Sequence, residues 1–466
     1  MSPFFAAIFL LGLCLANAVN LTYVYEWSQF DFIWPPAADT SNEQMKQNFN
    51  PDYVEPHFIA VFGERLFLSL DSFSGIPASL VWLPTSGMST VRPKLSPFPS
   101  WHLHKKDKCD TIQWAYGLEV DTDGRLWVLD NGRGKCSKKL WIFDLLNNDT
   151  TERIHQFPDT VVSDSEEDSY MSDIVLDKTP DDYLAYITAI GSQHIVVYSR
   201  KMDKSWTVKT PGRKWQCLAL SPNREERKLY LARDGGKELY SVSVSELRNE
   251  GGSAAVKLIS ELTEFLYIML FDNADVMYAA YYGKNYVFTW NISEPFREQR
   301  FHEVKRQGAS VPFTFALDTD GNLWITERYV TGIKNRHYKL LKAAVGARSY
   351  QFIPSTALFA ASTTSQTFET IEKSTQTPES QTGATPPTLE SNETCEGVAD
   401  FSEDHLKSQS LNRILIWLLV CCLICLVLSG AVIAWLTLRM RKMQTSLKKI
   451  SKEHQELLPS SGETRP

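Results

Sequence analysis

The sequence lacks an excess of positive charge. Its 48 lysine and arginine residues are outnumbered by 55 aspartate and glutamate residues, giving a formal net charge of −7. Domains that bind nucleic acid carry a clustered basic field, so no nucleic-acid partner is expected. With 43% hydrophobic and 12% aromatic residues, the chain also lacks the composition of a disordered protein, and it is long enough to bury a substantial core.

Signatures of several common enzyme classes are missing as well. There is no Gly-x-Ser-x-Gly elbow, no phosphate-binding loop and no dinucleotide fingerprint. Asp121-x-Asp123-Gly124 and Asp318-x-Asp320-Gly321 begin like calcium loops but lack the later ligands, so we interpret them as hairpin turns. His102-x-His104 lacks the paired spacing of a zinc site. We expect neither a metal nor another cofactor.

Cysteine is scarce in the part of the chain expected to fold. Of eight cysteines, four fall in the apolar terminal segments described below. Cys109 and Cys136 bracket one short segment, and in an oxidising compartment we expect them to form a disulfide. Cys217 and Cys395 are expected to stay unpaired.

Long hydrophobic runs are limited to the two ends of the chain. Residues 1–18 form a short apolar stretch ending in Ala16-Asn17-Ala18, which predicts a cleavable signal peptide. Residues 414–438 contain 25 positions without a charge, long enough for one transmembrane helix. The following tail, residues 439–466, is basic, so the positive-inside rule predicts a single-pass type I protein of the cell membrane with this tail in the cytoplasm.

The segment before the predicted membrane helix has few large apolar residues. Residues 355–410 are rich in serine, threonine and proline, which predicts an extended stalk whose cleavage would release the ectodomain. Four N-glycosylation sequons fit passage through the secretory pathway. They lie at Asn20, Asn148, Asn291 and Asn392.

A repeated hairpin pattern is the main indication of the fold. Residues 117–130 and 315–327 both read as strand, Asp-Thr-Asp-Gly turn, strand, and the Asp-Gly pair is expected to supply positive φ angles. Looser copies give six hairpins. Their second strands align on Phe67, Trp127, Tyr186, Tyr230, Tyr278 and Trp324.

The spacings between these aromatic residues are 60, 59, 44, 48 and 46, the period of a four-stranded propeller blade. We therefore predict an all-β fold, a six-bladed β-propeller over residues 19–354. Residues 23–27 form a separate N-terminal strand that would complete the last blade. The alternative, a β-sandwich, would show a regular spacing of about 8–12 residues without the longer period.

Several motifs occur in a characteristic order along the chain. They include Tyr116-Gly-Leu-Glu-Val-Asp121, Leu126-Trp-Val-Leu-Asp130, Leu140-Trp-Ile-Phe-Asp144, Ser205-Trp206 and Leu323-Trp-Ile325. Over about residues 20–350 this order resembles that of the yellow and major royal jelly proteins of insects. The resemblance implies a six-bladed propeller and a link to cuticle pigmentation and melanin synthesis. Some members convert dopachrome, and salivary relatives bind biogenic amines in the central channel.

The residues that enter the innermost strands of a propeller lie together at one mouth of its channel. Aromatic walls and a carboxylate there would suit a protonated catecholamine. The candidate ligand-binding residues are His57, Tyr116, Asp173, Gln216, Tyr267 and Phe313.

Three functions are compatible with these observations. The first is a yellow-type protein of the pigmentation pathway that binds small catechol or amine ligands. The second is a dopachrome-converting enzyme of the tautomerase type. The third, suggested by the predicted stalk and membrane helix, is a cell-surface adhesion or receptor ectodomain.

Overall fold

The computed structural model describes residues 21–36, 40–71, 75–86, 92–164, 170–222, 226–304, 310–331 and 335–352. The predicted signal peptide, stalk, membrane helix and tail lie outside these residues, as do Asn20, Asn392 and Cys395. Within the described residues, no helix has both the length and the apolar character needed to cross a membrane. The membrane helix over residues 414–438 therefore stays a prediction.

The described residues form six antiparallel sheets of four strands each, which confirms the six-bladed β-propeller. Blade 1 contains Pro56–Phe62 (β2), Arg65–Leu70 (β3), Leu80–Pro84 (β4) and Ser96–Pro97 (β5). Blade 2 contains Ala115–Val120 (β6), Arg125–Asp130 (β7), Lys139–Asp144 (β8) and Thr150–Gln156 (β9). Blade 3 contains Met171–Lys178 (β10), Tyr183–Ala189 (β11), His194–Ser199 (β12) and Lys204–Lys209 (β13).

The second half of the ring repeats this plan. Blade 4 contains Trp215–Leu220 (β14), Lys228–Arg233 (β15), Glu238–Ser243 (β16) and Lys257–Glu261 (β17). Blade 5 contains Leu266–Phe271 (β18), Val276–Tyr281 (β19), Tyr286–Asn291 (β20) and Gln299–Glu303 (β21). Blade 6 contains Ser310–Leu317 (β22), Asn322–Thr331 (β23), Asn335–Ala344 (β24) and the N-terminal Leu21–Trp27 (β1). Two short α-helices, Thr40–Gln47 (α1) and Val244–Leu247 (α2), and two single-turn 3-10 helices, Pro51–Tyr53 and Trp101–Leu103, lie between strands of the described residues.

The N-terminal strand closes the ring, as predicted. β1 pairs antiparallel with β24, from Leu21 opposite Ala343 to Trp27 opposite Tyr338. The innermost strands β2, β6, β10, β14, β18 and β22 each contact those of both neighbouring blades and surround the channel. The first and last strands of the propeller are thus hydrogen-bonded in one blade, and each blade packs against two neighbours.

The aromatic residues that defined the repeat form part of the core. All six lie in the second strand of their blade and are at most 5% exposed. They pack between blades with leucine, isoleucine and valine residues of neighbouring sheets. Burial of such large side chains stabilises the ring by about 1.5–3 kcal/mol each, because apolar surface leaves water.

The Asp-x-Asp-Gly motifs are hairpin turns, as interpreted. Asp121 Oδ1 accepts the backbone N–H groups of Asp123 and Arg125 at 3.0 and 2.9 Å. Its Oδ2 accepts the indole N–H of Trp127 at 2.8 Å. The first aspartate therefore orders the turn and also holds the core aromatic residue of the next strand.

The same bond recurs in three other blades. Asp318 accepts from Trp324 at 2.8 Å, Asp177 from Tyr186 at 2.9 Å and Asp272 from Tyr278 at 3.2 Å. In both Asp-Thr-Asp-Gly turns only the glycine has positive φ, +84° at Gly124 and +80° at Gly321. The expectation that the Asp-Gly pair supplies such angles was wrong for the aspartates, because these loops have four residues rather than two.

The predicted disulfide between Cys109 and Cys136 is confirmed, and Cys217 is a buried free thiol. Asn148 is exposed in the turn between β8 and β9, and Asn291 is partly exposed at the end of β20. Both sites are accessible positions for the predicted glycans, whose presence stays a prediction.

Candidate ligand site in the propeller channel

A β-bulge interrupts each innermost strand at the same end of the channel. In all six blades the register between the first and second strands shifts by one residue near the start of the first strand. Bulges re-aim side chains and are common beside active sites. The residues at these bulges are His57, Phe58, Tyr116, Gly117, Ser172, Gln216, Tyr267 and Phe313.

Aromatic side chains at these bulges meet across blade boundaries. The His57 and Tyr116 ring centroids are 4.6 Å apart, and those of Tyr267 and Phe313 are 5.5 Å apart. His57 and Phe313 are 6.4 Å apart, which connects blades 1 and 6. The structure thus brings four of the six predicted site residues together.

Three further aromatic residues extend this cluster. Tyr170, just before β10, lies 5.4 Å from the Tyr116 ring and stacks on Trp114 at 5.8 Å. Tyr282 lies 6.1 Å from Tyr267. We call this end of the channel the aromatic mouth. It comprises His57, Trp114, Tyr116, Tyr170, Tyr267, Tyr282 and Phe313.

Several polar atoms at the aromatic mouth are buried without a partner. Both ring nitrogens of His57 and Nε1 of Trp114 make no hydrogen bond within the described residues. Asp71 Oδ2 lies 3.3 Å from His57 Nε2, close enough for an ion pair if the histidine is protonated but without hydrogen-bond geometry. Leaving such groups unpaired costs about 1–3 kcal/mol each, so an occupant that bonds to them is favoured.

Two carboxylates near this mouth, Glu55 and Asp71, differ in whether arginines neutralise them. Glu55 forms ion pairs with both Arg328 and Arg336. The Arg328 guanidinium also lies 4.6 Å from the centre of the Phe313 ring. Because these arginines already neutralise Glu55, Asp71 is the better placed carboxylate for a cationic ligand.

Two tyrosines of the mouth, Tyr116 and Tyr267, are held in the neutral form. Burial raises the pKa of Tyr116 well above its usual value, and nearby tyrosines add to this. Burial likewise raises the pKa of Tyr267, with a contribution from Glu55. Both side chains therefore present a phenol rather than a phenolate at physiological pH.

Deeper in the channel, the innermost strands enclose a cavity of about 80 Å³. Its walls are mainly apolar, but Glu119 and Asp173 also line it. Burial raises the pKa of Glu119 to about 8, and the neighbouring Asp173 adds to this effect. Burial raises the pKa of Asp173 to about 7, although two backbone N–H groups oppose the shift.

The structure places the other two predicted residues differently. In blade 3 the bulge holds Ser172, so Asp173 lies one position further along and faces the cavity rather than the rings. Its carboxylate accepts the backbone N–H groups of Ile174 and Leu218 at 2.9 and 3.1 Å. Gln216 lies at the bulge of blade 4 and is half-buried. Its backbone carbonyl accepts a hydrogen bond from Ser172 Oγ at 3.0 Å.

Comparison with known proteins agrees with this architecture. The family model described as "Major royal jelly protein" matches residues 113–217 and 212–360, more than half of the chain. The chain belongs to the major royal jelly protein family. It is 31% identical over 201 residues to the "Protein yellow" of Drosophila subobscura and to that of Drosophila melanogaster. The match covers 41% of this chain and 35% and 36% of those relatives.

Several solved structures are similar to this chain at low sequence identity and low TM-score. Virginiamycin B lyase from Staphylococcus aureus is 12% identical with a TM-score of 0.40, over 64% of this chain and 97% of the lyase. An α-L-arabinofuranosidase from Fusarium graminearum is 9% identical with a TM-score of 0.44, over 68% and 98%. Their reactions are not transferred to this chain.

A Ser-His-Asp arrangement lies at the outer side of blades 2 and 3, formed by two outer strands and the turn before β13. His155 Nδ1 lies 3.1 Å from Asp203 Oδ1, and its Nε2 lies 2.9 Å from Ser205 Oγ. Ser205 is only 7% exposed, whereas the Asp203 side chain is 40% exposed. A catalytic triad needs a serine that substrate can reach and a buried aspartate, so this exposure pattern does not fit a nucleophile. Since His155 belongs to blade 2 and the other two to blade 3, we interpret the arrangement as a clamp between blades.

Sequence reasoning missed Asp71, Trp114, Tyr170, Tyr282 and Glu119. Asp71 directly follows the second strand of blade 1, and Tyr170 precedes the first strand of blade 3. Both would have been predicted if residues adjacent to the strands at this end of the channel had been included among the site candidates. Glu119 sits within a strand pattern of alternating residues and carries no such signal.

Proposed function

We propose that this protein is a yellow-type binding protein of the pigmentation pathway that holds a small catechol or biogenic amine at the aromatic mouth. The observation that carries this proposal is the set of unpartnered His57 and Trp114 nitrogens among aromatic rings, with the Asp71 carboxylate beside them. The relatives named "Protein yellow" support the link to pigmentation.

Each part of such a ligand has a complementary group. The aromatic rings offer flat apolar contact to a catechol and cation–π attraction to an ammonium group. Asp71 would accept a charge-assisted hydrogen bond from the ammonium. Trp114 can only donate, whereas His57 can donate or accept, so both suit catechol hydroxyl groups.

Calorimetric titration of the purified full-length chain with dopamine, dopa and dopachrome tests the proposal. We expect saturable heat with at least dopamine, because it combines the catechol with a free ammonium group. The absence of heat with all three compounds would contradict the catechol site and favour the adhesion or receptor function.

A second candidate function is dopachrome conversion. Tautomerisation moves a proton between two atoms of the substrate, and His57 beside Asp71 and Tyr116 is positioned to accept and return one. Heat that continues after saturation with dopachrome, but not with dopamine, would support this reaction. Heat that stops with both would support binding alone.

We further propose that the propeller is displayed outside the cell, tethered by the predicted stalk and the helix over residues 414–438. The confirmed Cys109–Cys136 disulfide supports an oxidising compartment. Protease protection in sealed membrane vesicles tests the orientation, since only the tail over residues 439–466 should be accessible from the cytoplasmic side.

A further inference from the structure

The end of the channel opposite the aromatic mouth is crossed by the residues that follow β24. The backbone N–H of Tyr350 donates to the Phe271 carbonyl at 3.2 Å, and Arg348 exchanges two hydrogen bonds with Asn273 at 2.8 and 3.1 Å. These contacts attach residues 348–352 to blade 5.

The same short segment reaches the blades on the other side of the opening. Tyr350 Oη accepts the backbone N–H of Leu176 in blade 3 at 2.8 Å, and the guanidinium of Arg227 in blade 4 lies 5.7 Å from its ring centre. Gln351 Nε2 donates to Glu119 Oε1 at 2.9 Å and to the Val120 carbonyl at 2.8 Å, both in blade 2.

This segment also forms part of the cavity wall. Ser349, Tyr350 and Phe352 line the cavity, and Tyr350 is only 3% exposed. It therefore fills the opening rather than lying over it. None of these residues belongs to a blade strand, because β24 ends at Ala344, so the segment can leave without breaking any blade.

We propose that residues 348–352 are a plug that closes one end of the channel, so that molecules reach the cavity only through the aromatic mouth unless the plug is released. The plug contacts four blades at their inner edges and is held by hydrogen bonds together with the buried Tyr350 ring. The channel is then a pocket with one entrance and a releasable floor.

A cysteine placed in the cavity wall measures whether the plug seals it. Ala60 lines the cavity on β2 and is 5% exposed. In the full-length chain, Ala60→Cys is treated with biotin-maleimide, and labelling at position 60 is read by mass spectrometry. The rate in this parent variant measures entry with the plug in place. Native Cys217, packed in the core between blades, reports any general unfolding.

The plug is weakened by adding Tyr350→Ala and Gln351→Ala, and separately by the milder Tyr350→Phe, which removes only the bond to Leu176. We expect labelling at position 60 to become at least ten-fold faster in the double variant, with a smaller increase for Tyr350→Phe and no labelling of Cys217. The matched control is Gln299→Ala on the outer strand β21, which should leave the rate unchanged.

Equal labelling rates in the parent, plug and control variants would overturn the proposal, whether all are fast or all are slow. If Cys217 is labelled in the double variant, the labelling comparison uses Tyr350→Phe instead. Hydrogen exchange of the peptide containing Leu176 is then measured as well, because the Leu176 amide should lose protection as the plug leaves. No ligand is needed, so this result is independent of the proposed amine site.

Discussion

The two ends of the channel are built from the same six innermost strands but differ in how their polar groups are satisfied. At the aromatic mouth, His57 and Trp114 carry buried nitrogen atoms without partners. At the plugged end, Tyr350 and Gln351 make bonds to three separate blades. One plug atom, Gln351 Oε1, is also buried without a partner among the described residues, so the two ends differ in degree. The plugged end is closed by bonds to three blades, whereas the aromatic mouth leaves three ring nitrogens unpaired.

The sequence repeat follows the same division. The strand exits near the plug carry the recurring aspartate that holds a core aromatic residue, as in Asp121 with Trp127 and Asp318 with Trp324. The strand entries at the aromatic mouth carry bulges of one geometry but with different residues. Regular positions thus maintain the fold, and the variable ones form the surface that we propose binds a ligand.

The largest expected effect comes from the plug. Tyr350→Ala should lower the free energy of unfolding by about 3 kcal/mol, since it empties a buried aromatic site and removes a hydrogen bond. Tyr282→Ala at the aromatic mouth, where the residue is 65% exposed, should change it by less than about 0.5 kcal/mol. Urea unfolding measures the free energy of unfolding of both variants. Equal losses of stability would contradict the contrast between the two ends.

The next effect concerns pH. The folded protein keeps Glu119 protonated up to a pKa of about 8, well above its usual 4.5. Between these values the unfolded chain releases the proton and the folded chain does not, so stability is full at low pH and falls as pH rises towards 8. We expect a loss on the order of 2 kcal/mol between pH 5 and 8.

Urea midpoints across this range test the effect. Glu119→Gln retains an acceptor oxygen for Gln351 and cannot ionise, so its stability should decline less with pH. Glu43→Gln in helix α1 is the exposed control and should follow the parent. Parallel curves for Glu119→Gln and the parent would show that the Glu119 carboxyl is not buried in the neutral form.

A smaller effect is expected for the ligand itself. Asp71→Asn should weaken dopamine binding about ten-fold, or about 1.4 kcal/mol, because the ammonium loses its charged partner. Asp320→Asn, in an exposed turn at the plugged end, is the matched control and should have no effect. Calorimetric titration of both variants compares the two ends directly, and equal weakening would indicate a general charge effect instead of a site at Asp71.

Most of the fold could be predicted from the sequence because its determinants are local. The spacing of Phe67, Trp127 and the later aromatic residues gave the blade count, and residues 23–27 indicated how the ring closes. The grouping of His57, Tyr116, Tyr267 and Phe313 was predicted in the same way, since strand entries share one end of the channel. In blade 3 the prediction was wrong by one residue, because the strand begins at Met171 and its bulge position is Ser172 rather than Asp173.

The remaining features depend on contacts between distant segments. Glu55 pairs with Arg328 across 273 positions of sequence, and Gln351 bonds to Glu119 across 232. Neither pair follows from periodicity, because ring closure alone brings these residues together. The plug was missed for the same reason, since residues 348–352 look like the end of a domain in the sequence.

Hydrogen exchange with and without saturating dopamine tests the central claim most directly, because it reads both ends of the channel in one measurement. The account predicts slower exchange in the peptides that contain His57, Trp114 and Tyr170. It predicts no change in those that contain Leu176 and Tyr350. Protection at the plugged end alone, or none at the aromatic mouth under saturation, would contradict it.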